Sequence, residues 1–235
     1  MSNKLQQAEA LKKIFEKVKY CSIDKDGYLE DFNFASDLDE ALFNVGKEKI
    51  YELKDEVYPY LNNIDPSFRE TAIRALGFGW GKGLNLPEFR DIAYKMWLND
   101  PNDRVKEAAL DEWITYYAGS KEPVILKCLY NIIYSNQCTI HARVVALLGF
   151  IEVAHAVSSA QEVRDIFDLE ELAGDTSKIR FHPINLVGDD HTDKVNRMKE
   201  QNIKLFNAAI NKGHYYNKIN SIMQKYVPNW QSKRI

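Results

Sequence analysis

The sequence has 235 residues, of which 45% are hydrophobic and 28% charged, with a formal net charge of −3. That is enough chain for one or two domains of ordinary soluble composition, and no segment approaches the 18 uninterrupted apolar residues of a membrane span. Three cysteines, Cys21, Cys128 and Cys138, do not make a disulfide framework; they read as free thiols in a reducing cytoplasm, which is the expected location.

Residues 1–20 carry an amphipathic pattern at Leu5, Ala8, Leu11, Phe15 and Val18. It has no apolar signal core or cleavage site, so a helix over about 4–20 is predicted rather than a leader. A turn-rich acidic stretch follows to residue 40. Within it, Asp24, Asp26 and Gly27 fall where a calcium loop would place them, but Ser22 and Asn33 stand at its two anchoring positions. A plain Asp-Gly turn is the better description.

From about 41 to 173 the chain repeats. Arg69, Lys106 and Arg143 are spaced by 37 residues, and each is followed by alanine three positions on, at Ala72, Ala109 and Ala146. Ile73, Leu110 and Leu147 come next, then Leu76, Trp113 and Phe150. The intervening apolar segments 48–61, 87–98 and 123–134 align at a spacing of 36, which superposes Tyr58, Tyr94 and Tyr130. Asp65-Pro66 and Asp100-Pro101 punctuate the starts of the first helices, and Pro87 and Pro123 suit the first turn of the second helices. A period of this length built from helical pattern alone predicts an all-α, right-handed α-solenoid of helical hairpins, each burying its apolar face on its neighbours. A further helix is expected around Val163, Ile166 and Phe167, then a break over 174–190. Two closing helices, about 193–211 and 215–227, complete a single domain over 1–235: an N-terminal cap helix and acidic loop (1–40), the repeats (41–173), and an irregular segment with C-terminal capping helices (174–235).

Charge is uneven along the chain. Eleven acids and four lysines lie between Asp24 and Glu56, whereas nine basic residues and one acid, Glu200, follow from Lys194 onward. Two solvated surfaces or a steering role for an oppositely charged partner both fit this asymmetry.

No motif for chemistry stands out. Asp189-Asp190-His191-Thr192-Asp193 precedes a predicted helix and reads as its cap; the other histidines lack ligand spacing. The run Gly77–Gly83 follows a helix rather than a strand and reads as a hairpin loop. No catalytic residue, metal or cofactor is therefore expected. The residues singled out for partner binding are Glu52, Asp55, Glu56, Glu88, Asp91, Tyr94, Tyr130 and Asn131, with the polar ones expected to be exposed. The tyrosine column could line a contact surface or simply pack successive repeats.

The units at Asp65-Pro66…Arg69…Ala72…Leu76 and Asp100-Pro101…Lys106…Ala109-Leu110 resemble HEAT repeats, over roughly residues 41–173. That resemblance implies a fold more than a function. Small stand-alone proteins of this type include bacterial immunity proteins that neutralise a nuclease toxin, and this chain is similar to them in size and acidic surface. The implied function is a protein-binding solenoid whose partner is a basic toxin domain, with neither nucleic acid nor membrane as partner. An alternative resemblance is to the HEAT-like alkylpurine DNA glycosylases, through Asp111-Glu112-Trp113. However, Trp113 aligns with Leu76 and Phe150 as a repeat core residue, and the block lacks a basic stripe for phosphates. An intracellular scaffold or adaptor is a third reading.

Overall fold

A computed structural model describes residues 3–77, 87–155 and 214–231. The expected helix around Val163, the break after it, the first closing helix, the Asp189–Asp193 cluster and the glycine-rich run beyond Gly77 lie outside these residues. Among the described residues the chain is all helical, with one isolated bridge, Ile23 to Leu29, in place of any strand. It divides into two compact units, Met1–Tyr117 and Ala118–Ile235.

In the first unit, α1 (Asn3–Lys17) runs into a short 3-10 turn and then a tight hairpin. The hairpin is the Asp-Gly turn expected from sequence. One carboxylate oxygen of Asp24 accepts from the backbone N–H groups of Asp26 (2.8 Å) and Tyr28 (2.9 Å), and Gly27 adopts φ +91°. Asp31 then caps α2 (Phe32–Lys47), accepting from the N–H groups of Asn33 and Phe34. The acidic stretch expected to be irregular up to residue 40 is thus helical from Phe32 onward. Its buried stripe of Leu38, Ala41, Leu42 and Val45 follows helical spacing; Asp37 and Glu40 are exposed, whereas Asp39 is half-buried.

The segment predicted as one helix over 48–61 is instead a broken spiral: a 3-10 turn at Tyr51–Leu53, a single helical turn α3 (Lys54–Val57), and a second 3-10 turn at Tyr58–Asn62. Pro59 has no N–H to donate, so an α-helical ladder cannot continue through it. Its apolar members are nevertheless buried, as Leu53, Val57, Tyr60 and Leu61, which explains the helix-like period.

Asp65 caps α4 (Pro66–Arg74), with Pro66 at the first helical position. The helices α5 (Pro87–Asn99) and α6 (Asp103–Thr115) pack against each other, α6 packs on α4, and α4 on α2. The repeat positions do equivalent work on each element. Ala72 and Ala109 are fully enclosed, as are Ile73 and Leu110, and Leu76 and Trp113 are buried one turn on. Small alanines at the helix contact let the axes approach closely, and the large residues fill the space to either side. The tightest approach is at Gly46 of α2. A Cβ there would stand 2.5 Å from the Cα of Ala75 and 2.8 Å from its carbonyl oxygen.

The second unit pairs α7 (Pro123–Ile133) with α8 (Ile140–His155), and α9 (His214–Tyr226) docks on α7. Here Ala146, Leu147 and Phe150 bury the third copy of the pattern. α9 contributes Ile219 and Met223, followed by Val227 beyond its end. One of the two expected closing helices is therefore present among the described residues.

Two consequences for stability follow. The Gly46→Ala variant has no space except by moving backbone of Ala75, and should lose about 1–3 kcal/mol in urea denaturation at neutral pH. The Asp39 carboxyl on α2 is held above its ordinary value chiefly by burial; the Thr71 hydroxyl bond opposes this, and the Asp65 and Glu70 charges add to it. An acid that binds its proton more tightly when folded costs stability above its folded pKa and nothing below its unfolded one. Asp39→Asn should therefore be more stable than wild type at neutral pH, with the gap closing as pH falls and gone below about 3.8, the ordinary carboxyl value.

Candidate binding surface

The acids singled out from sequence differ in exposure and in the groups they act on. Glu52, Asp55, Glu88 and Asp91 are exposed, and Glu56 is half-buried. Asp55 and Glu56 are neighbours on a single helical turn, so their side chains diverge by about 100°. The charge of Glu56 bears on Tyr60, whose hydroxyl burial first and then this charge push up to about 12. The charges of Glu88 and Asp55 instead bear on Tyr58, raised chiefly by its burial. Two carboxylates more than thirty positions apart thus act on one phenol. Glu88 lies in the first turn of α5, where the helix N-terminus favours a negative charge.

Around this pair the aromatic content is high. The hydroxyl of Tyr116 is also raised, by burial and then by Glu112, Tyr58 and Glu88, with Arg90 opposing. Its ring lies 6.0 Å from that of Phe89. Tyr116 was not picked out from sequence, although it stands three positions after Trp113, on the same face of the chain. Asp91 is held by Arg90 at 3.2 Å, which offsets part of its charge. Glu52, Asp55 and Glu88 have no ion-pair partner among the described residues.

The tyrosines part ways. Tyr94 is 38% exposed and stacks on the buried Trp113 with ring centroids 5.1 Å apart. Trp113 in turn meets Tyr117 edge-on at 5.3 Å, so the tryptophan is a core residue, as its repeat position implies. Tyr130 in the second unit is only 5% exposed. Its ring lies 4.7 Å from both Tyr134 and Trp230, and the indole N–H of Trp230 donates to Asn220 at 3.1 Å. Packing, rather than a place on a contact surface, describes Tyr130; beside it Asn131 is exposed.

No group of three or more His, Cys, Asp or Glu side chains that could hold a metal occurs among the described residues, and no helix there is long and apolar enough to cross a membrane. The three cysteines are half-buried and free, and burial raises the Cys128 thiol, so this thiol is a poor nucleophile at neutral pH.

The different settings of the two tyrosines are separable by mutation. Tyr130→Ala should cost about 3–5 kcal/mol in chemical denaturation. Tyr94→Ala, with a third of its surface already in water, should cost well under half as much.

Comparison of the chain with protein-family models, curated proteins and solved structures finds no match, and its functional reading rests on the geometry of these residues.

Proposed function

We propose that the chain is a HEAT-like α-solenoid that binds a protein, as an immunity protein that neutralises a nuclease-type bacterial toxin by covering its active site. The observation that carries this reading is that Glu52, Asp55 and Glu88 are exposed carboxylates in no ion pair among the described residues, and the charges of Asp55 and Glu88 both act on Tyr58. A nuclease presents a cationic groove to phosphate. Fixed carboxylates beside aromatic rings offer that groove charge of the same sign as phosphate, together with rigid contact area. Unpaired acids speed encounter with a basic partner, and the half-exposed Tyr94 adds an amphipathic contact on the same unit. Such inhibition needs no catalytic group, only occupancy.

The test begins with capture of partners from a nuclease-treated lysate of the source cell, and identification of any stoichiometric basic protein. Binding of that protein to the wild type and to the double variant Asp55→Lys/Glu88→Lys is then measured at two salt concentrations. At least a tenfold loss of affinity is expected, mostly in the association rate, with a weaker dependence on salt and unchanged helical content. Equal affinity and equal salt dependence would remove these carboxylates from the interface. Rescue of growth by co-expression with the captured protein separates a toxin from any other basic partner.

A further inference from the structure

A second surface of the first unit is built differently. A cleft of about 740 Å³ opens between the N-terminal hairpin and the two turns that precede α4 and α6. That volume falls in the range of roughly 300–1,000 Å³ that houses small ligands and short peptide segments. At its base Arg69 and Asp100, both buried, form a two-pronged bridge, with Nε to Oδ2 at 2.8 Å and Nη2 to Oδ1 at 2.9 Å. The pair is neutral as a whole, so the charge character of the cleft is set by its walls.

Those walls are rich in donors. Asn63 accepts from the N–H of Asp65 through its side-chain oxygen at 2.9 Å, and Asn102 accepts from the N–H of Arg104 in the same way at 3.0 Å. A backbone N–H only donates, so in both residues the oxygen is committed to the turn and the amide NH2 is left to donate elsewhere. Lys95 also lines the cleft and has no ion-pair partner among the described residues. One cation and two amides whose NH2 groups are left to donate therefore line a space with Tyr28, Ile64 and Met96. A single positive charge with neutral donors matches a monoanion; a phosphate dianion would leave charge uncompensated in a site whose arginine is already paired.

We propose that this cleft binds the free C-terminal carboxylate of a peptide whose last side chain is apolar, with the carboxylate on Lys95, Asn63 and Asn102 and the side chain against Tyr28, Ile64 and Met96. Capture of a chain terminus by converging donors is an established mode of peptide recognition. The volume exceeds what one small carboxylic acid fills, which favours the last residues of a peptide over an isolated acid. This site is separate in its residues from the acidic surface and does not depend on the immunity reading.

The test uses hexapeptides labelled at the N-terminus and ending in leucine, phenylalanine or valine, each as free acid and as C-terminal amide, titrated by fluorescence anisotropy. At least one free acid is expected to bind tenfold or more tightly than its amide. Lys95→Glu, at an exposed position, should lower that affinity at least tenfold, and Lys95→Arg should retain it. Wild-type thermal unfolding in the Lys95→Glu variant keeps a loss of binding from being a loss of fold. Equal binding of acid and amide overturns the proposal, as does no saturable signal from any free acid up to about 1 mM. Displacement of the peptide by N-acetylleucine at the concentration at which the unlabelled peptide displaces it overturns the peptide assignment in favour of a small carboxylic acid.

Discussion

The guanidinium of Arg69 organises the first unit. It grips the Asp100 carboxylate with two nitrogens, while Nη1 donates to the carbonyls of Asn63 (2.7 Å) and Ile64 (2.9 Å). One planar cation thus ties the turn before α4 to the turn before α6. It also satisfies carbonyl oxygens at the end of the broken 51–62 spiral that have no helical partner. Asp100 in turn accepts from the N–H of Asn102 at 2.9 Å, which presents Asn102 as the cap of α6. A buried pair of this kind contributes little relative to an apolar replacement, but loss of one partner alone costs about 3–5 kcal/mol because the other charge stays buried. Its value lies in register: only one placement of the two turns lets all four bonds form.

The same basic position has been put to different uses along the chain. Arg143 donates through Nε to the carbonyl of Ile133 at 2.7 Å, closing the end of α7, whereas Lys106 lies 3.9 Å from Asp103 within its own helix. An ammonium on a flexible stem cannot reproduce the planar fork of arginine. Around the first pair, Glu70 is shared by Arg74 (3.3 Å) and Arg104 (2.9 Å), so a second layer of charge links α4 to α6 nearer the surface. The apolar contacts of Ala72, Ala109, Ile73 and Leu110 supply most of the attraction; the charges decide which contacts those will be.

Much of the helical content was legible because burial imposes periodicity. The triplets at 72, 109 and 146 share spacing and are all enclosed. Where the signal misled, a physical reason is visible. The start of α2 was hidden because Asp37, Asp39 and Glu40 dominate the local composition, although Asp31 is a sound cap followed by a helical stripe. The 51–62 spiral kept an apolar period while Pro59 interrupted its hydrogen bonds. The joint effect of Asp55 and Glu88 on Tyr58 arises across more than thirty positions of sequence, and no local spacing encodes it. The orientation of Asn63 and Asn102 likewise follows from turn bonds that exist only once the backbone is folded.

The docking of α9 on α7 has a bearing on the order in which the protein can form during synthesis. Tyr130 meets Trp230, about 100 residues further along the chain, and closing a loop of that length carries an entropy cost that local helix pairs do not incur. The contacts of the first unit become available as soon as residues up to 117 have emerged, because all of them lie within that stretch. The aromatic face of α7, by contrast, must wait for Tyr216 and Trp230. During that interval Tyr130 and Tyr134 lack the ring contacts that Trp230 and Tyr216 give them in the folded chain, and apolar surface left open in this way is what exposes a partly made chain to aggregation.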